Sequence, residues 1–351
     1  MVTLAEVLRR HWPQYERQFG AALLPSHRHA VACILNCRTA ALGGEVYFCA
    51  DCRRMHFVYH SCNHRACPQC GQADATEWTQ AQKRQLLPVP YYLITFTVPA
   101  ALRPWLRSHP KPGYAALLRQ SAGALQDVAA NPKYLGAELG VLSVLHTWGR
   151  QLQYHPHVHC VVPAGGLRPD GLRWCRPKTV DYFLPHPVLR ARFRTRLQQA
   201  LSEHLAEIPT PVWQQDWVVD VRPVGSGEAA LQYLAAYVYR TALGSQRIIC
   251  ADDQQVTFQY KDSEDDQWRE LRLQAPEFIR RFLQHVLPKG FQRVRRYGWL
   301  SPAAVRKWRR IALLLDWQEP QRISSPPLPP CCAHCGGPLR WVATLGRAPP
   351  K

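Results

Sequence analysis

The chain has 351 residues, 46% of them apolar and 12 of them Trp, which is enough for more than one core and excludes a disordered polypeptide. Its 44 Lys and Arg against 25 Asp and Glu give a formal net charge of +19, an excess that attracts polyanions, nucleic acid first among them, although a generic basic surface carries the same charge. No stretch approaches the ~20 apolar residues that cross a bilayer, and the N-terminus is charged where a signal peptide is apolar, so a soluble cytoplasmic product with no membrane partner is expected.

Thr3 and Glu6 form a capping-box pattern ahead of a helix running to about residue 19, and Pro25-Ser26 opens a second helix through Cys33 and Cys37. Gly43-Gly44 breaks that pattern, and residues 45–71 are dense in Cys and His, the mark of a metal-organised module. A helix over about residues 74–86 leads out of it. From Tyr91 the period changes: Ile94, Phe96 and Val98 alternate with Thr95 and Thr97, as in a strand with one apolar face. A helix over about residues 114–129, strands in VLSVLHTW and HVHCVV, a helix from Pro187, a strand in WVVDV and a helix capped by Ser226 complete a βαββαβ pattern. RIIC, QVTFQY and WRELRL then read as an antiparallel meander, followed by a helix from Pro276 and a proline-rich tail.

The expected fold class is therefore α+β, with a ferredoxin-like βαββαβ core and one open sheet face. Four segments are expected: a helical segment with the Cys- and His-dense module over 1–88, the βαββαβ core over 89–245, an accessory meander and helix with a basic segment over 246–317, and a tail with a Cys cluster over 318–351.

Thirteen Cys in a chain of this kind point to metal more than to disulfides. Cys49 and Cys52 form one C-x-x-C pair, and Cys67 and Cys70 another; two knuckles at this separation match one four-thiolate structural Zn2+ site. Between them lie His56, His60, Cys62 and His64, which leave alternative pairings or a second ion open, with Cys62 and His64 as further candidate ligands. Cys332 and Cys335, spaced as half a knuckle beside Cys331 and His334, receive no assigned role.

In YHPHVHCVV, His155, His157 and His159 fall on one face of a strand, but at ~3.3 Å per residue the outer two stand ~13 Å apart, too far to share one ion. Pro156 interrupts a ladder and Val158, Cys160 and Val162 supply an apolar rear face, so His157 and His159 make the better pair. In YLAAYVYR, Tyr233 and Tyr237 are four apart and share a helix face, whereas Tyr239 points away. An isolated Tyr-x-x-x-Tyr is ordinarily core; the metal-ligand histidines, the basic charge and the zinc knuckles set this one apart.

The ordered set CADC, SCNHRACPQC, ITFTVP, HPHVHCVVPAGG, YLAAYVYR and HVLPKGFQRVRRYG resembles the insertion sequence 91 family of bacterial transposases, the two-tyrosine members of the HUH nucleases, from about residue 20 to about residue 300. The family's common Arg-His-Cys-Pro reads Arg65-Ala66-Cys67-Pro68 here. The resemblance implies an HUH-type catalytic domain in which His157 and His159 bind Mg2+ or Mn2+, with His146 or Gln153 as candidate third ligand, and Tyr233 and Tyr237 act as nucleophiles. It implies a metal-dependent single-stranded DNA endonuclease and strand transferase, acting at transposon ends and target through a covalent 5′-phosphotyrosine, without a nucleotide cofactor, in rolling-circle-like transposition near the nucleoid. Lys289, Arg293, Arg295 and Arg296, interleaved with Phe291, Tyr297 and Trp299, would track phosphates and stack unpaired bases. A non-enzymatic zinc-finger DNA-binding protein would need only the cysteines and the charge, and a replication initiator or relaxase would share the HUH site; covalent adducts separate the first from an enzyme, and origin nicking marks the second.

Overall fold

The computed structural model describes residues 2–179, 183–239, 242–262, 264–319 and 330–347; within helices, the side chains of residues 71–75, 233 and 235–239 lie outside that description. In chain order, helices α1 (Leu4–Phe19) and α2 (Pro25–Asn36) precede strands β1 (Gly44–Cys49) and β2 (Arg54–Tyr59), helix α3 (Gly71–Lys83) and strand β3 (Tyr91–Thr97). Helices α4 (Arg103–Ser108) and α5 (Pro110–Ala130) lead to strands β4 (Gly140–Trp148), β5 (Tyr154–Pro163), β6 (Gly166–Leu167) and β7 (Trp174–Cys175), helix α6 (His186–Ala200), strand β8 (Val218–Pro223) and helix α7 (Glu228–Tyr239). Strands β9 (Ile248–Ala251), β10 (Gln255–Lys261) and β11 (Trp268–Gln274), helix α8 (Ala275–Leu283), strand β12 (Val294–Gly298), helix α9 (Val305–Leu314) and strand β13 (Leu339–Leu345) complete the order.

Antiparallel sheets and helices make this a mixed α+β structure, and its contacts gather into two compact units, each discontinuous in sequence. One draws on the described residues within 1–74, 239–286 and 320–351, the other on 75–238 and 287–319. The expected accessory region over 246–317 is thereby divided, its meander and α8 going to the first unit, β12 and α9 to the second.

The second unit is built on a five-stranded antiparallel sheet of order β12-β4-β5-β3-β8. Period-two alternation sorts its side chains. Ile94 and Phe96 of β3, Val158, Cys160 and Val162 of β5, and Val141 and Leu145 of β4 face a core completed by Leu117, Leu118 and Leu125 of α5 and by Phe193 of α6. Phe96 meets Phe193 edge-on at 4.9 Å, and Asp127 of α5 accepts from Arg192 and Arg196 of α6. Each large apolar side chain so buried contributes roughly 1.5–3 kcal/mol, and a slip of one residue would exchange the two faces, so this layer fixes the register. The opposite face then carries Thr95, His157, His159, Val144 and His146. That face is not open throughout: Gln82, Gln85, Leu86 and Leu231 of α7 close over Leu142, Val161 and Pro163 at one end.

β12 lies where the sequence reads as a basic segment. Its pairing from Val294↔Val144 to Gly298↔Gly140 makes it an edge strand of the sheet. Trp299, just after it, is fully buried and donates to the Glu138 carbonyl, so it does not stand where an unpaired base could stack on it, whereas Phe291, though largely covered, borders a cleft beside Lys111 and Lys289.

In the first unit the Thr3 hydroxyl accepts from Glu6 N while the Glu6 carboxylate accepts from Thr3 N, and α1 buries Leu4, Val7, Leu8 and Trp12. It packs on α2 and on α8, whose Phe278 lies against Phe258 of the β9-β10-β11 meander. A separate sheet of order β13-β1-β2 carries the cysteine-rich module.

Candidate functional site

His146, His157 and His159 converge on the second unit's sheet: one ring nitrogen of each lies within 4.8 Å of the others. Register explains the meeting. His146 of β4 is the direct antiparallel partner of His157 of β5, and Val144 is that of His159. Opposed side chains in such pairs stand ~4.5–5.5 Å apart, and period two puts His159 on the same face as His157. The ring centroids are 5.1 Å apart for His146–His157, 4.3 Å for His146–His159 and 4.8 Å for His157–His159. The register shifts between His146 and Trp148, where His155 and Pro156 together oppose Thr147; the His155 ring stands 5.2 Å from that of His157, but the converging nitrogens are those of His146, His157 and His159.

Two neighbours orient the rings. His157 Nδ1 lies 2.7 Å from the His155 carbonyl, which can only accept, so that nitrogen carries the proton and Nε2 keeps its lone pair. His159 Nδ1 pairs with the Thr95 hydroxyl at 3.0 Å, a contact set by the cross-strand partnership of Thr95 and His159. Nothing in the sequence singles out Thr95 beyond its place on the polar face of β3. Burial pulls His157 down to about 4, and burial, with the neighbouring histidines, holds His146 and His159 well below the ordinary imidazole value. All three are therefore neutral near pH 7, the state in which imidazole binds a metal. Three neutral nitrogens at this spacing form a donor set that fits one divalent transition ion. Arg103, Arg222 and Arg293 are close enough to oppose protonation of the group, and they give its surroundings a positive potential suited to an anion.

The other predicted residues distribute as follows. The Gln153 amide is held in the β4–β5 connection, where its Oε1 accepts from Gln151 N at 2.9 Å. Tyr233 and Tyr237 fall on α7, but their side chains lie outside the described residues. The basic cluster is divided by strand alternation. Arg295 stands over the Phe291 ring at 5.4 Å and, with Lys111 and Lys289, lines a cleft of about 300 Å3. Arg296, on the opposite side of β12, donates to Gln82 at 2.8 Å.

The four paired cysteines do not converge on one point. Cys67 and Cys70 join Cys37 and Cys62, with Cys70 Sγ 3.4 Å from Cys37 Sγ and 3.5 Å from Cys62 Sγ, while Cys49 and Cys52 join Cys332 and Cys335. The single site expected from two adjacent knuckles is thus corrected to two four-sulfur groups. The reason is topological: the first knuckle forms the β1–β2 turn and β2 leads away from it, so Cys49 and Cys52 meet the sulfurs of Cys332 and Cys335, while Cys67 and Cys70 meet the nearby Cys62 and the earlier Cys37. Cys37, just past the end of α2, had no local spacing to announce it. His64 stays outside the sulfur group, its Nδ1 accepting from Ala66 N at 3.1 Å. A hydrogen bond from Cys67 pulls Cys62 down to about 5, while burial pushes Cys37 up to about 11. Four crowded sulfurs can ionise together only around a cation, which is the chemistry of a zinc site.

A family model described as "Transposase zinc-binding domain" matches residues 7–98, and one described as "Putative transposase" matches residues 140–308. The chain is 37% identical over 322 residues, 85% of its length and 80% of the relative's, to "Putative transposase y4qJ" of Sinorhizobium fredii. It is 28% identical over 292 residues, 76% of its length and 68% of the relative's, to "Transposase for insertion sequence element IS801" of Pseudomonas savastanoi pv. phaseolicola. No solved structure matches. The histidine hairpin falls inside the second matched region and one complete cysteine group inside the first, and on this combined ground the chain belongs to the insertion sequence 91 family of transposases.

Proposed function

We propose that this transposase cleaves and rejoins single-stranded DNA through tyrosine nucleophiles on an HUH-type core. The observation that carries the reading is the histidine group on the β4–β5 hairpin, on the same sheet face that α7, the bearer of Tyr233 and Tyr237, covers through Leu231. The strand order supports it: β3, β4, β5 and β8 follow the chain order of a βαββαβ unit and lie as second, third, first and fourth, the ferredoxin-like arrangement, with β12 added at the edge.

A divalent ion at this group would neutralise charge developing on a scissile phosphate. Of Mg2+ and Mn2+ the donor set favours Mn2+, since Mg2+ prefers oxygen ligands. His146, His157 and His159 would hold the ion, Thr95 and the His155 carbonyl fixing two of the rings. The phenol oxygen of Tyr233 or Tyr237 bonds to phosphorus as the bond to the 3′ oxygen breaks, giving a 5′-phosphotyrosine and a 3′-hydroxyl. Attack by a 3′-hydroxyl on that linkage reverses the step and joins strands, so no nucleotide is consumed. A second tyrosine lets a second strand be cut while the first stays attached, which suits rolling-circle-like movement. Arg103, Arg222 and Arg293 attract the phosphate backbone, and Lys111, Lys289 and Arg295 line a second basic cleft for it. Cys37, Cys62, Cys67 and Cys70 hold the structural zinc of the N-terminal domain.

The test is incubation of the purified protein with single-stranded terminal DNA and Mn2+, followed by peptide mapping. A metal-dependent adduct on Tyr233 or Tyr237, absent from the Tyr233→Phe/Tyr237→Phe variant, is expected. No adduct on the native protein, or an undiminished adduct on the double variant, would refute the mechanism.

A further inference from the structure

Residues 330–347 lie outside both regions that match the family models, yet they are packed into the first unit. Their strand β13 pairs with β1 from Gly44↔Leu345 to Cys49↔Leu339, which makes β1 the central strand of its sheet. The pairing is reinforced by side chains: Trp341 Nε1 and Thr344 Oγ1 each donate to the Glu45 carboxylate at 2.7 Å.

This register brings two cysteine knuckles face to face. Cys49 Sγ lies 3.5 Å from Cys335 Sγ, Cys52 Sγ lies 3.6 Å from Cys332 Sγ, and all four sulfurs lie within 4.8 Å of one another. A tetrahedron with Zn–S bonds of ~2.3 Å has edges of about 3.8 Å, close to these separations. They exceed the ~2.05 Å of a disulfide by far, and none of the cysteines is paired in that way. Burial as small hydrophobes does not account for the group either, because Cys335 is exposed and Cys52 is only partly covered.

The two knuckles share a backbone device. The residue after the second cysteine of each is left-handed, Arg53 at φ 53° and Gly336 at φ 77°. For Arg53 that conformation is uncommon in a residue with a Cβ, and it turns the chain back toward its own sulfurs. His334 N donates to Cys332 Sγ at 3.4 Å, a bond that favours a thiolate. Asp51 approaches Gly337 so closely that a Cβ there would overlap its carboxylate, so the second knuckle fits the first through a missing side chain.

We propose that Cys49, Cys52, Cys332 and Cys335 hold a second structural zinc ion, so that the C-terminal residues close the N-terminal zinc module. This ion clamps two parts of the chain whose facing cysteines are 280 and 286 residues apart. The sites are independent in their ligands, Cys37, Cys62, Cys67 and Cys70 forming the other.

Metal content of the purified full chain, read by elemental analysis, provides the test. Cys332→Ser/Cys335→Ser is expected to carry one zinc equivalent fewer than the native protein, and Cys331→Ser an unchanged amount. Unchanged zinc in the double variant would overturn the proposal. Alkylation of the native protein needs no variant: Cys332 and Cys335 should resist iodoacetamide until zinc is removed, whereas exposed Cys331 reacts from the start. Alkylation of Cys332 and Cys335 at the rate of Cys331 before zinc removal would equally overturn it.

Discussion

The histidine group and the cysteine groups are both candidate metal centres, but the chain assembles them in different ways. The histidines come from one hairpin, where antiparallel register sets His146 against His157 and strand period adds His159. The cysteines come in sequence-adjacent knuckles whose partners are remote: Cys67 and Cys70 meet Cys37, and Cys49 and Cys52 meet Cys332 and Cys335. A hairpin places its ligands through backbone hydrogen bonds and the core behind it, so it can keep its geometry without an ion. A group gathered from distant segments needs the ion's binding energy to offset loop closure.

That contrast can be broken by substitution, and the cysteine side should give the largest effect. Cys37→Ser is expected to release one zinc equivalent and to destabilise the first unit by several kcal/mol, a fraction of the roughly 10–16 kcal/mol of a structural zinc site. Zinc content and thermal unfolding would measure it; retention of zinc there, with its loss in His64→Ala, would move the fourth ligand of this site from Cys37 to His64. His157→Ala should leave the second unit folded by circular dichroism and lower adduct formation by more than about 100-fold, beyond the range of outer-sphere changes. His146→Ala should match it, and full activity in that variant would remove β4 from the site. The smallest effect is expected at Thr95→Val, a loss of roughly 10-fold in Mn2+ affinity by titration, with Thr95→Ser close to the native value.

Elements with a strong period were legible in the chain. The capping box of Thr3 and Glu6, the alternation of β3, the HVHCVV strand and the three-stranded meander all formed as their patterns imply. β12 was not legible, because Arg295 and Arg296 in its middle read as a solvated basic stretch, whereas the sheet edge accepts one on each face. β13 was hidden in the same way behind a proline-rich tail.

What the sequence determined by itself is the kind of chemistry available: paired cysteines fit to bind zinc, alternating histidines on a strand face, and a family likeness in their order. Tertiary structure alone decided which ligands meet. It chose His146 through hairpin register, oriented His159 through Thr95 on a strand over 60 residues away, and divided four adjacent cysteines between two groups. The physical reason is that spacing fixes the reach of neighbouring side chains, whereas the partners of a strand or a knuckle are set by the apolar faces that must be buried together.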